Sequence, residues 1–372
     1  GKVYHALMAT DKSKPRKLIA LKKARTTSLV KNPVLRHEAC VLLRLRGRLT
    51  FALNTHHCTD HPSIPRVYAW GKSQWFEYLA MELLGPCINP NTTKGERLTM
   101  RNLVVVVCQM FDSIGYMHSQ GLVHGDIKPD NFLFGLPPKE GRVHLIDFGL
   151  AKSWRDPVTL QPLPPRTTPN LRGTAPFASI PVHLHNSPSR RDDIESLSYT
   201  IAWLLRGPLP WYGKDDNGIF LMKQQWSGPD ICFGYPSVFG KFIEYARAMN
   251  FDEAPDYAYW RKQFRALVLD LPEDPDYDHS DRTESFVGCA KSGSPSLNHD
   301  VCRPIISSSP DSEWSDYSDD DFFPPQSWPG ASSVHGDDLI GDEGSLVREV
   351  ERIVDPPHMA WPYTERPELM II

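Results

Sequence analysis

No apolar run in this chain approaches the ~20 residues that a membrane-crossing helix needs. The longest, LVVVVC at 103–108, is far too short, so no membrane partner is expected. Cysteine is scarce and scattered: seven residues, at 40, 58, 87, 108, 232, 289 and 302, an odd number with no Cys-x-x-Cys pair. A disulfide framework and a zinc site are both disfavoured. No secretory signal opens the chain, and a reducing intracellular compartment, cytoplasm and/or nucleus, is expected. His56, His57, Cys58 and His61 lie close together. Metal-ligand patterns usually include a second spaced pair, so a polar loop is the plainer reading. Internal repeats are absent. No nucleic-acid partner is expected, because a basic surface alone does not make a nucleic-acid module.

Acidic residues are sparse over the first 269 positions, and basic ones over the rest. The body holds 35 Lys+Arg against 22 Asp+Glu (net +13) and the remainder 6 against 23 (net −17), which together give the −4 of the whole chain. Such a body attracts acidic partners. The 372 residues, 40% of them apolar, suffice for one large or two smaller cores. From about residue 273 Ser, Pro and Asp dominate, and residues 279–372 are expected to form an acidic, disordered tail, because they cannot bury enough apolar area to offset chain entropy. Within it, Leu346, Val350, Ile353 and Val354 have the spacing of a short partner-binding helix. Two readings of the tail stand. It docks on the basic body and competes with acidic substrates, with Ser315 and Ser318 as phosphorylation sites, or it is simply solvated.

The first ~85 residues read as strands with one helix. Residues 3–7 and 18–22 form a hairpin around a polar turn, and 67–70 and 76–81 form a second pair. Between the pairs, Asn32-Pro33 precedes a helical pattern at Leu35, Cys40, Leu42, Leu43 and Leu45. Residues 50–61 read as an irregular loop. Beyond Gly85-Pro86 the period becomes helical: Leu103, Val107, Met110, Ile114 and Met117 share a face, and Gly121 supplies a stop. Short strands are expected at 131–134 and 143–146, with helices at 193–205 (apolar nearly all round, hence buried), 239–249 and 257–268.

The chemistry lies in LVHGDIKPDN at 122–131 and DFG at 147–149, with Asp126 and Asp147 21 positions apart. Phosphoryl transfer from a nucleotide needs this set. One carboxylate orients and deprotonates the attacking hydroxyl, a second holds a metal ion on the phosphates, an amide oxygen holds another, and a cation offsets charge on the moving group.

These segments resemble a eukaryotic protein kinase and, more narrowly, the casein kinase I family, over about residues 1–278. The narrowing comes from MELLGP at 81–86, GTAPFASI at 173–180 in place of the usual Ala-Pro-Glu, RRDDIESL at 190–197, and GYP at 234–236 with NFDEAPDY at 250–257. The chain resembles a divergent, fungal-like member truncated at its N-terminus. The resemblance implies an α+β, bilobal fold, with a small β-rich N-lobe (1–85) and a larger, mainly helical C-lobe (86–278). It implies a monomer that uses ATP and Mg2+ to phosphorylate Ser/Thr hydroxyls of protein substrates at acidic or already phosphorylated sites.

Residue roles follow from the same resemblance. Lys22 would contact the α- and β-phosphates and Glu38 would pair with it; the plain alternative is a surface lysine and a helix-face charge. Gly1 and Val3 would cover the nucleotide, and Ala20 would line its site. Glu82 and Leu84 would offer backbone groups to adenine, with Met81 behind it. Asp126 would act as base, Lys128 would stabilise the transferring group, and Asn131 and Asp147 would hold Mg2+. Thr174 would lie beside Asp126. Asp193 would tether the catalytic-loop backbone, or simply cap its helix. Arg190 and Arg191, with Lys152 and Arg155, would bind a substrate phosphate or form a solvated face.

The chain also departs from the pattern. His-Gly-Asp replaces His-Arg-Asp, and Gly125 is expected to loosen the backbone before Asp126. The first two glycines of the phosphate-covering loop are missing before Gly1. Pro176 and Phe177 stand where the family has Arg-Tyr, and residues 214–233 offer Gln224-Gln225 where basic residues are expected. An active kinase and a pseudokinase scaffold are therefore both open at this point.

Overall fold

The computed structural model describes residues 2–8, 16–26, 33–47, 61–73, 75–89, 98–281 and 370–371. Gly1, most of the histidine-rich loop, and all of the acidic tail except residues 279–281 and 370–371 lie outside these residues.

The N-terminal lobe is an antiparallel sheet. Strands β1 (Lys2–Met8) and β2 (Lys17–Arg25) form the first hairpin, and β3 (Val67–Lys72) and β4 (Phe76–Glu82) the second. With β9 (Met370–Ile371), the order is β3-β4-β2-β1-β9. Side chains alternate across a strand, so register decides what each face carries. One face holds Ala6, Met8, Ile19, Leu21, Ala69 and Ala80, a small core of its own. The other carries Lys22, with Val3 directly opposite it on β1, and Ala20 opposite Met81 on β4. Helix α1 (Val34–Leu45) has no side-chain cap of its own. Instead the buried Glu77, from β4, accepts the N–H of Arg36 at 3.1 Å, which satisfies a first-turn donor from outside the helix.

The chain crosses to the second lobe at Gly85. Its N–H bonds the Phe134 carbonyl at 2.7 Å, and a Cβ there would stand 2.8 Å from the Gly135 carbonyl. The second lobe is built on α2 (Met100–Ser119) and α4 (Arg190–Arg206), both buried along most of their length. Helices α7 (Ser237–Ala248) and α8 (Tyr257–Arg265) pack on them through Phe111, Phe242 and Phe264, whose ring centroids lie 5.3 to 5.9 Å apart. Two short ribbons, β5 (Leu122–Val123) with β8 (Lys152–Ser153) and β6 (Phe132–Phe134) with β7 (Val143–Leu145), lie where the two lobes meet. The chain up to Asp281 stays attached, since Asn102 Nδ2 donates to the Asp278 carbonyl at 2.8 Å.

The α+β, two-lobed arrangement expected from the sequence is the one observed. Three differences are instructive. α4 starts three residues earlier than its apolar pattern, because Ser189 and Asp192 form a capping box. α8 ends at Arg265, earlier than 268. The polar stretch after Lys214 holds α5 (Asp216–Gln225) and the one-turn helix α6 (Gly228–Ile231), while another one-turn helix, α3 (Ile180–His183), precedes α4 and packs on α5. Among the described residues no helix can cross a membrane, no group of three His, Cys, Asp or Glu could hold a metal ion, and Cys40, Cys87, Cys108 and Cys232 are free thiols. His61, the described member of the histidine cluster, stacks on Tyr116 at 4.5 Å.

Candidate active site

Strand β2 brings Lys22 to the cleft, α1 brings Glu38, and the turn after β7 brings Asp147. Lys22 Nζ donates to Glu38 Oε2 and to Asp147 Oδ1, each at 2.7 Å. The Glu38 side chain is 1% exposed and that of Asp147 44%, so only Asp147 can also reach a ligand in the cleft. Burial alone would lower the Lys22 ammonium, but the two carboxylates reverse this and hold it well above its usual range. Burial raises Glu38 against the pull of Lys22. Asp147 is held below the ordinary carboxylate range, because Lys22 outweighs its burial. Asp147 has φ 63° and ψ 69°, a left-handed conformation that costs a non-glycine residue about 1–3 kcal/mol and persists only when its surroundings enforce it. Here Phe148 is fully buried against His124, and His37 on α1 bonds the Ala151 carbonyl at 2.7 Å.

The second half of the cleft is the loop after β5. Asp126 Oδ1 accepts from Thr174 Oγ1 at 2.8 Å, Lys128 Nζ donates to Thr174 Oγ1 at 2.7 Å, and Lys128 Nζ lies 2.7 Å from Asp126 Oδ2. Asn131 Nδ2 donates to the Asp126 carbonyl at 2.8 Å, which fixes the amide and leaves its oxygen for another partner. Asp193, fully buried on α4, accepts the N–H groups of His124 at 2.7 Å and Gly125 at 2.9 Å and pairs with His118 at 2.9 Å. Burial would raise its carboxyl, but His118 and these donors bring it below its usual value. Asp193 is thus a tether, and Asp192 beside it serves the cap.

The expected loosening at Gly125 is corrected. Its φ is +76°, its N–H is held by Asp193, and a Cβ would meet the Leu150 carbonyl at 3.2 Å. Glycine is the residue this conformation strains least.

Val3, Ala20 and Met81 share the Lys22 face of the sheet. The N–H of Glu82 donates to the Arg66 carbonyl at 2.8 Å. Leu84 lies in the connector just before Gly85.

A family model described as a protein kinase domain matches residues 2–229. The chain belongs to the protein kinase family. It is accordingly a phosphotransferase that uses ATP and acts on protein substrates. Asn131 and Asp147 bring an amide and a carboxylate to the cleft of this kinase, and hard oxygen donors of that kind fit Mg2+.

The arginine cluster expected to bind substrate phosphate is engaged elsewhere. Arg190 lies 3.8 Å from the Trp154 ring centroid and donates to the Asp252 carbonyl, while Arg191 donates to the Met249 carbonyl. Arg155 covers the other ring contact on Trp154, at 5.1 Å, and donates to the Ser119 carbonyl. These guanidiniums hold loops together in the kinase. Sequence reasoning also misses Lys223, which lies fully buried beneath residues 175–178. A lysine two residues before the end of a polar, surface-like helix carries no sequence signal of burial.

Proposed function

We propose that this kinase is an active Ser/Thr protein kinase of the casein kinase I type, with a catalytic unit reaching to about residue 278. The observation that carries this reading is the Lys22 ammonium at 2.7 Å from both Glu38 and Asp147. Three segments far apart in the chain meet there in the order a nucleotide requires.

In the proposed mechanism, Lys22 binds the α- and β-phosphates, with Glu38 fixing its position. Met81, Ala20 and Val3 enclose the base, and Glu82 and Leu84 orient it through backbone groups. Gly1, which lies outside the described residues, takes the place of the covering loop's final glycine by resemblance alone. Asn131 and Asp147 would hold Mg2+, which when bound offsets phosphate charge. Asp126 accepts the proton of the incoming Ser or Thr hydroxyl. Thr174 donates to Asp126 and aligns it, and Lys128 lies close enough to both to stabilise the transferring group. The Ser/Thr class is supported by the casein kinase I resemblance at 173–180 and 250–257. A preference for acidic or phosphorylated sites is supported by the net positive body, with Arg190 and Arg191 contributing to the field and not as direct ligands.

The test is phosphorylation of an acidic Ser peptide by the wild type and by Asp126→Asn. We expect the variant to lose about 10²–10⁴ in turnover. A variant with wild-type turnover would refute the assignment, and a wild type that binds ATP without turnover would make the chain a scaffold.

A further inference from the structure

The geometry points to Lys223 as a positioning residue for the peptide substrate: from beneath, its buried amine ties down the backbone of residues 175–178, directly after Thr174. This rests on the kinase reading above and goes beyond it, because no part of the phosphate-binding machinery includes α5.

Lys223 is 0% exposed. Its Nζ donates to the Ala175 carbonyl at 2.8 Å and the Ala178 carbonyl at 2.5 Å, and lies 3.2 Å from His183 Nε2. The rings of Tyr199 and Trp211 wall the site at 4.9 and 5.4 Å. Among the described residues no carboxylate lies within 4 Å of the amine. An interior lysine is costly unless its donors are all used. Here two are used on carbonyls of a single four-residue stretch, and a neutral imidazole can take or give the third hydrogen bond.

The neighbouring groups serve the same segment. Trp211 Nε1 donates to the Pro176 carbonyl at 2.8 Å, Glu195 accepts the Ile180 N–H at 2.8 Å, and Asp192 accepts from Ser179 Oγ at 2.6 Å. Residues 175–180 are therefore a shelf held from below, and its first residue follows Thr174, which touches both Asp126 and Lys128. A peptide whose hydroxyl reaches Asp126 must lie against this shelf. Lys223 bonds two carbonyls of the shelf, and His183 Nε2 lies 3.2 Å from the first of them, so loss of Lys223 strips the Ala178 carbonyl of this donor and leaves the Ala175 carbonyl to His183.

The test uses the full chain with Lys223→Met, which keeps the volume and removes the donors. Hydrogen exchange at the Phe177 and Ala178 amides should quicken by at least roughly tenfold while α2 and α4 stay protected. The kcat/KM for an acidic Ser peptide should fall roughly ten- to hundredfold, chiefly through the peptide KM, with the ATP KM changed less than about twofold. Lys223→Gln, which keeps two N–H donors on a shorter side chain, should fall in between, and it is read in the same way if the methionine variant does not fold. Unchanged exchange at 177–178 overturns the proposal, and so does a parallel rise in the ATP and peptide KM values with exchange quickened throughout the lobe. If the wild type itself shows no peptide turnover, the kinase reading fails, while the exchange result still decides whether Lys223 clamps the shelf.

Discussion

The nucleotide cleft and the shelf beneath the peptide segment each bury a lysine, and they treat it in opposite ways. Lys22 lies between two carboxylates that hold its ammonium firmly protonated. Lys223 faces backbone carbonyls and a histidine, and burial pushes its amine well below its usual value, with Glu195 opposing. The difference separates two uses of interior polarity. In the cleft, charge is kept where a ligand can share it, since the Asp147 side chain remains 44% open. On the shelf, hydrogen-bonding capacity is used up within the protein and fixes a stretch of backbone.

The sharpest way to break this comparison is to remove one carboxylate from each side. Asp147→Asn should cut turnover by about three orders of magnitude or more, because positioning and electrostatics supply nearly all of the catalysis in phosphoryl transfer. Its melting temperature should stay near wild type, since Lys22 retains Glu38. Glu195→Gln should do the reverse and lower the melting temperature with little effect on the rate at saturating substrate. Peptide kinetics and calorimetry on both variants check this, and equal losses in both quantities would erase the distinction.

Next in size is the cleft pair itself. Lys22→Met leaves Glu38 buried and unpaired, which should cost about 3–5 kcal/mol. Converting Glu38 to Gln in the same chain should recover part of that, because an uncharged amide needs no counter-ion. Denaturant unfolding of the two single variants and the double variant gives the coupling. A double variant less stable than Lys22→Met would contradict the assigned pairing.

Much of the cleft is legible in the sequence, and the shelf is not. LVHGDIKPDN and DFG are contiguous, so Asp126, Lys128, Asn131 and Asp147 announce themselves by type and spacing. Strand alternation is legible too, and it puts Lys22 on the face shared by Val3, Ala20 and Met81. Glu38 belongs to a helix whose register faces the sheet. The segments 173–180 and 190–197 stand out in the sequence, but nothing local joins them to Trp211 and Lys223, which complete the shelf, and burial of a lysine inverts the usual rule for its type. Arg190 and Arg191 mislead in the converse way. Adjacent arginines look like an anion site in sequence, yet Trp154 and the Asp252 and Met249 carbonyls take them up, and that depends on loops no local pattern specifies.

A smaller effect tests the backbone beside Asp126. Gly125 has φ +76°, and a Cβ would lie 3.2 Å from the Leu150 carbonyl. Gly125→Ala should therefore cost about 1–2 kcal/mol and lower kcat modestly, by displacing the loop that Asp193 tethers. A variant of unchanged stability would mean that the cleft backbone is less tightly specified than the shelf.

The smallest effect belongs to the shelf. Burial and the Lys223 amine push the His183 imidazole from 6.5 down to about 4. The folded state then binds fewer protons at this site than the unfolded chain does. The stability contribution is thus complete above pH 6.5, declines as pH falls towards 4, and changes no further below it. Because His183 is only half-buried, solvent screening keeps the amount modest. His37, His61 and His144 are lowered by burial as well, so a wild-type curve alone cannot isolate His183. Subtracting the curve of His183→Gln does: the difference should open below pH 6.5 and level off near 4. Parallel curves through that window would mean that the imidazole is not held neutral against Lys223, and the shelf would then differ from the cleft in its contacts but not in its proton balance.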